Sequence, residues 1–258
     1  LRLLDGCPLF PHFITSGDHE GRSFVIMEFM GKSLAKLATE STKKCLPLGT
    51  AIRTAQQMLR CIQRLHWKGF IHRDIKPDNF LTRADRQYPI CLIDFGLARP
   101  FIDEATGVHL PQKDKQSFAG TLKYASSHAL SGEDISRRDD LISWFYSVLE
   151  LCCGPLPWAN ETDKQKILKA QKSFKYKALI RSLPREFKEI ERKVFTLLFD
   201  DTPDYEGISL ILSNAAKRVT PLVNKTLDLE LLGAEEWNKM TTHEIVRHPS
   251  FTNLIESQ

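Results

Sequence analysis

The chain has 258 residues, 42% of them hydrophobic and 26% charged, with a formal net charge of +4 at pH 7. That length and apolar content can bury the core of one large or two small domains, and a mildly basic balance without a run of Lys or Arg argues against a dedicated nucleic-acid arm. No apolar run reaches bilayer-spanning length and no basic-then-apolar leader opens the chain, so neither a nucleic acid nor a membrane is an expected partner.

The six cysteines form no CxxC pair and several lie in apolar segments, which reads as reduced core thiols of an intracellular protein. In chain order, Leu1, Arg2, Leu3 and Leu4 read as the tail of a helix. Residues 12–15 and 23–29 read as two strands around turn chemistry at 17–21. Ser33 is placed to cap a short helix that carries Leu34, Leu37 and Ala38 on one face. Between residues 50 and 67 the positions Ile52, Ala55, Met58, Leu59, Ile62 and Leu65 recur at helical spacing, and Gly69 follows as a C-terminal cap. Two short strands are expected at 80–82 and 90–93, around a polar turn at 83–86.

From Asp94 to Ser126 periodicity gives way to polar, Gly and Pro residues, the pattern of a long functional loop. Beyond it Asp139 and Asp140 precede an apolar helix with Leu141, Trp144, Phe145, Val148, Leu149 and Cys152, closed by Gly154-Pro155. A helix so apolar on most faces should be central to its domain, and Asp140 at its start is placed to accept hydrogen bonds from main chain upstream. Further helices are expected around 164–173, at 185–199 with Phe187, Ile190, Val194, Leu197 and Leu198 inward, and at 205–217.

The chemistry is concentrated in His72-Arg73-Asp74-Ile75-Lys76-Pro77-Asp78-Asn79 and in Asp94-Phe95-Gly96. Twenty residues separate Asp74 from Asp94, room for a loop, a strand, a turn and a second strand that bring both carboxylates to one cleft. His72 is expected to pack under the loop, and Asp78 to have a turn role only.

HRDxKxxN followed by DFG at this spacing resembles the catalytic loop and metal-binding motif of protein kinases. The likeness is closer to the casein kinase 1 group, including its tau-tubulin kinase branch. It is carried by Phe29-Met30-Gly31-Lys32-Ser33-Leu34, HRDIKPDNFL, LIDFGLAR, the loop ending Gly120-Thr121-Leu122-Lys123-Tyr124-Ala125-Ser126, SRRDDL from Ser136, Leu156-Pro157-Trp158 and Pro203-Asp204-Tyr205. Ala125-Ser126-Ser127 stands where other kinase groups carry Ala-Pro-Glu.

The resemblance implies an α+β, protein-kinase-like fold with a mostly helical C-lobe, the hinge and only the last part of the N-lobe sheet. It divides the chain into residues 1–30 as N-lobe remnant and hinge, 31–217 as C-lobe and 218–258 as a C-terminal extension in which His248-Pro249-Ser250-Phe251 looks like a closing helix end. The implied activity is transfer of the ATP γ-phosphate, with Mg²⁺, to Ser or Thr of protein substrates, often at acidic or already phosphorylated sites, by a monomer. Asp74 then accepts or orients the hydroxyl proton, Lys76 compensates charge on the migrating group, and Thr121 fixes both. Asn79 and Asp94 supply metal ligands. The main chain of Glu28 and Met30 meets the adenine edge, Leu81 and Ile93 face the base, and Lys123 and Lys169 form a substrate anion site.

A Gly-rich loop, a strand Lys and its partner Glu are not in the sequence and are expected upstream of Leu1. On that expectation the chain is an N-terminally truncated piece of an active kinase that binds ATP poorly by itself. The alternative is a pseudokinase scaffold that presents this surface to a protein partner, and a small-molecule phosphotransferase of related fold is a third reading.

Overall fold

The computed structural model describes residues 1–83 and 87–219. The chain opens on a single 3₁₀ turn, Arg2–Leu4, rather than the end of an α-helix. Strands β1 (Phe13–His19) and β2 (Arg22–Met27) then form an antiparallel hairpin. The turn is tighter than the sequence suggested. β1 runs on through Gly17 and Asp18, and only Glu20 (φ 48°) and Gly21 (φ 74°) turn the chain. Two positive φ values in succession match the right-handed twist of the flanking strands, which a type I turn would splay.

Helix α1 (Leu34–Glu40) starts where Ser33 accepts a hydrogen bond from the Lys36 amide at 3.2 Å, and it buries Leu34, Leu37 and Ala38. Helix α2 (Leu48–Trp67) has the expected apolar stripe, with Ile52, Ala55, Met58, Leu59, Ile62 and Leu65 all buried. Gly69, at φ 82°, ends it with its amide donating to the His66 carbonyl at 2.9 Å. Two short strand pairs follow: β3 (Phe70–Ile71) meets β6 (Arg99–Pro100), and β4 (Phe80–Thr82) meets β5 (Ile90–Leu92), both antiparallel. The 94–126 segment is therefore not one structureless loop. It contains β6, a bridge between Ile102 and His109, and a 3₁₀ turn at Leu122–Tyr124.

The remaining elements are helical: α3 (Ser127–Leu130), α4 (Arg137–Cys153), α5 (Lys164–Gln171), α6 (Phe174–Arg181), α7 (Glu186–Phe195) and α8 (Tyr205–Val219). α4 is the axis of the body, packed by α2 on one side and by α7 on another, while α8 lies against α2 and α7. Leu141, Trp144, Phe145, Val148 and Leu149 are all essentially inaccessible, and Trp144 Nε1 donates to the Ala55 carbonyl of α2 at 3.1 Å. Each such side chain contributes about 1.5–3 kcal/mol of apolar burial, and this helix does so around its whole circumference.

Three differences from the sequence expectations have local causes. α6 lies between the helices expected at 164–173 and 185–199, in a stretch with no expected helix; Ser173 ends the preceding turn and its hydroxyl caps the new helix by accepting from the Tyr176 amide at 3.3 Å. α7 stops at Phe195, where Thr196 Oγ1 turns back to the Arg192 carbonyl. Beyond that stop the helical register is lost, so Leu198 is exposed rather than inward. The expected motif at 248–251 lies outside the described residues.

Candidate active site

The loop between β3 and β4 is hung from a buried carboxylate. Asp140, in the first turn of α4, accepts the His72 amide on Oδ2 at 2.7 Å and the Arg73 amide on Oδ1 at 2.9 Å. Its Oδ2 also takes the Nε2–H of His66 at 2.9 Å, while His66 Nδ1 lies 2.5 Å from the Tyr205 hydroxyl, which donates to it. Burial lowers the His66 pKa below its ordinary value, so the ring is neutral and the direction of these bonds is fixed. Burial works to raise that of Asp140, but the hydrogen bonds from His66 and from the His72 amide outweigh it and hold the carboxyl below its ordinary value. One ionised group thus anchors two consecutive peptide units.

The anchored turn is strained where it meets the site. Arg73 has φ 73° and Asp94 has φ 63°, both left-handed values on residues with side chains. Gly120, at φ 109°, packs so closely on this turn that a Cβ there would sit 2.6 Å from the Arg73 carbonyl oxygen. His72 is buried beneath the loop, edge-on to Phe95 with ring centroids 5.5 Å apart. Its Nε2–H donates to the Ile93 carbonyl at 3.0 Å, and its Nδ1 accepts from the Asp74 amide at 3.3 Å.

Above His72 stands a closed triangle of polar groups. Lys76 Nζ donates to Asp74 Oδ2 at 2.6 Å and to Thr121 Oγ1 at 3.0 Å, and Thr121 Oγ1–H donates to Asp74 Oδ1 at 2.8 Å. The Asp74 side chain keeps 10% of its surface accessible and that of Lys76 21%, enough for a reactant to reach both. Asn79 is buried, and its Nδ2 donates to the Asp74 carbonyl at 2.8 Å, which leaves its amide oxygen as the coordinating atom. The Ile93 amide donates to the Asn79 carbonyl at 2.9 Å, so Asp94 begins where Asn79 ends across the β4–β5 ribbon. Asp94 itself is exposed, with Oδ1 accepting from the Gly96 amide at 3.3 Å. A neutral amide oxygen beside an accessible carboxylate fits a hard divalent cation such as Mg²⁺.

The other expected residues are more scattered. Leu81, in the middle of β4, and Ile93, just after β5, are half-buried, and Leu81 bridges to Ser33. The Met30 side chain is buried, whereas the Glu28 carboxylate is engaged by Arg83. Lys123 is already paired: its Nζ donates to Glu150 Oε1 at 3.0 Å, and the other oxygen of Glu150 takes the Tyr124 hydroxyl. Lys169 lies on the exposed face of α5. The sequence reading missed His66 and Glu150. His66 has no local motif, and only the register of α2 against α4 reveals it; Glu150 follows from Lys123 only once α4 is known to pass beneath the 3₁₀ turn.

A family model described as "Protein kinase domain" matches residues 10–251. Over 216 residues the chain is 33% identical to a probable serine/threonine-protein kinase of Dictyostelium discoideum, an alignment that covers 83% of the chain and 43% of that protein. Over 240 residues it is 31% identical to casein kinase I homolog 1 of Schizosaccharomyces pombe, covering 90% of the chain and 54% of that protein. The chain spans about half the length of the curated relatives it matches.

Proposed function

The chain belongs to the protein kinase domain family, and from that membership we propose that its protein transfers the γ-phosphate of ATP to serine or threonine hydroxyls of other proteins. The observation that carries this reading is the Asp74–Lys76–Thr121 triangle, with Asn79 seated against the same loop. A scaffold that only displays a surface has no physical need for an acid, a cation and a hydroxyl locked to one another at an accessible position.

In this mechanism the substrate hydroxyl approaches Asp74, whose carboxylate orients the O–H and takes its proton as the new O–P bond forms and the bond to the leaving diphosphate breaks. Lys76, held between Asp74 and Thr121, places a compact positive charge beside the transferring group. Thr121 keeps both from swinging away, so little reorganisation is left for the transition state. Asn79 and Asp94 would hold Mg²⁺, which when bound offsets the charge of the phosphates. Main-chain groups of Glu28 and Met30 would meet the adenine edge, with Leu81 and Ile93 against the base. Residues 1–30 serve as the hinge-side part and 31–217 as the catalytic body.

For the finer preference we propose acidic or previously phosphorylated sites, in keeping with the likeness to a casein kinase I homolog. Lys169 carries the larger share of anion recognition, because Glu150 already neutralises Lys123. An intracellular setting agrees with six cysteines that form no CxxC pair and lie in part within apolar segments.

The reading is tested in the full-length protein with two carboxamide variants. Asp74→Asn should cut transfer by about 10²–10⁴-fold with nucleotide affinity near normal, since it removes the proton acceptor and little of the nucleotide site. Asp94→Asn should weaken Mg²⁺-dependent nucleotide binding instead. Equal loss of nucleotide affinity in both would show that these roles are misassigned. For the anion site, replacing Lys123 and Lys169 by Gln should raise KM for an acidic peptide and spare kcat, and an unchanged KM would remove that part of the proposal.

A further inference from the structure

Arg83, the residue after β4, spans from the catalytic ribbon to the segment that follows β2. Its amide donates to the Pro89 carbonyl at 2.9 Å, which keeps it at the turn end of the antiparallel ribbon whose other end bears Asn79 and leads into Asp94. Its guanidinium makes four hydrogen bonds among the described residues. Nε donates to Glu28 Oε1 at 2.9 Å and Nη2 to Glu28 Oε2; Nη1 donates to the Pro8 carbonyl at 2.6 Å, and Nη2 also to that of Phe10 at 3.1 Å. Glu28 returns the contact on its other side. Its Oε2 accepts the His12 amide at 3.1 Å, and its own amide donates to the His12 carbonyl at 2.8 Å.

The side chains of Arg83 and Glu28 are 15% and 31% accessible, so this fork-to-fork pair is partly withdrawn from water, where geometry counts for more than charge alone. Main-chain bonds reinforce it: the Gly31 amide donates to the Thr82 carbonyl at 2.7 Å, and the Thr82 amide to the Lys32 carbonyl at 3.0 Å. The peptide units at 28–30 are therefore gripped by Arg83 before them and by Thr82 after them. None of the motifs in the sequence includes Arg83.

We propose that Arg83 is a positioning residue for nucleotide: through the Glu28 carboxylate it fixes the main chain of residues 28–30 relative to Asn79 and Asp94, and so sets the spacing between the purine edge and the phosphates. This rests on the kinase reading above. A main-chain edge reads a purine only when its donors and acceptors are held in register, and a misplacement near 1 Å can cost about 100-fold in a positioned reaction. A lysine at 83 can make only a point contact with Glu28 and cannot reach the Pro8 and Phe10 carbonyls in the same fork.

The test uses the full-length protein with ATP and GTP as probes. Arg83→Ala should raise the dissociation constant for ATP by about tenfold, with a much smaller fall in kcat at saturating ATP and no change in KM for the protein substrate. The preference for ATP over GTP should shrink, because the two purines differ at the edge that the main chain reads. Arg83→Lys should recover part of both effects, Glu28→Gln should shift both in the same direction, and the Arg83→Ala, Glu28→Gln pair should be no worse than Arg83→Ala alone. If Arg83→Ala fails to fold, the Lys and Gln variants decide. Folded variants with wild-type ATP affinity and an unchanged ATP-to-GTP ratio would overturn the proposal and leave the kinase reading standing. A wild-type protein that binds neither nucleotide would overturn both.

Discussion

Asp140 touches no reacting atom in the proposed chemistry, yet the position of every group in the loop depends on it. It holds the His72 and Arg73 amides and is itself satisfied by His66, which in turn takes the Tyr205 hydroxyl. This chain of bonds makes the fold sensitive to acid in two stages. His66 has a folded pKa below its unfolded value near 6.5, so its contribution is complete above about pH 6.5 and erodes as pH falls from there. Asp140 is depressed as well, so its contribution persists above about pH 3.9 and is lost as pH falls further through its folded pKa. Thermal unfolding of the wild type followed against pH should therefore show Tm dropping below about pH 6.5, and His66→Asn should flatten that first decline. Identical slopes for the two proteins between about pH 6.5 and 5 would show that His66 is not the group responsible.

At this scale Asp74, Lys76, Asn79 and Asp94 could be singled out from the sequence because their spacing is short and their residue types are dictated by phosphate chemistry. Asp140 was also marked as a main-chain acceptor, from its place ahead of an apolar helix. Arg83 and His66 were not legible. Each acts across a long sequence separation, 55 residues in the Arg83–Glu28 pair and 74 in the His66–Asp140 pair, and no local pattern encodes such a meeting.

Among the elements, those with a strong period and explicit stop signals were read correctly. α2 has its 3.6-residue stripe and Gly69, and α1 has Ser33 at its start. α4 was placed by apolar content rather than by a stripe, because a helix buried on all sides has none to show. Short strands were located only where a motif bracketed them: β4 and β5 lie between Asn79 and Asp94, while β3 and β6, two residues each, carry no periodicity that can be detected. The turn of the β1–β2 hairpin was drawn too wide because Gly17 and Asp18 are turn residues by type. Here they pair with Phe24 and Ser23, and a Cβ at position 17 would lie 3.0 Å from the Phe24 ring, so the glycine serves packing rather than turning.

For the whole molecule, the helical body organised by α4 and the ribbon that carries the site followed from apolar patterning together with two motifs. The way the parts are joined did not. The segment after β2 is tied to the ribbon by Arg83 and by Thr82, and the 94–126 segment is tied to α4 through Ser126, whose Oγ donates to Asp139 Oδ1 at 2.5 Å. Such joints decide whether Asp74, Asn79 and Asp94 act as one site. Among the described residues no helix is long and apolar enough to cross a membrane.

The most direct measurement is transfer of labelled γ-phosphate from ATP, with Mg²⁺, by the full-length protein to casein and, in parallel, to small alcohols and aminoglycosides. The account predicts phosphoserine or phosphothreonine on casein, little label on the small acceptors, and loss of the casein signal in Asp74→Asn. Label that reaches only the small acceptors, or a casein signal that survives Asp74→Asn undiminished, would contradict it.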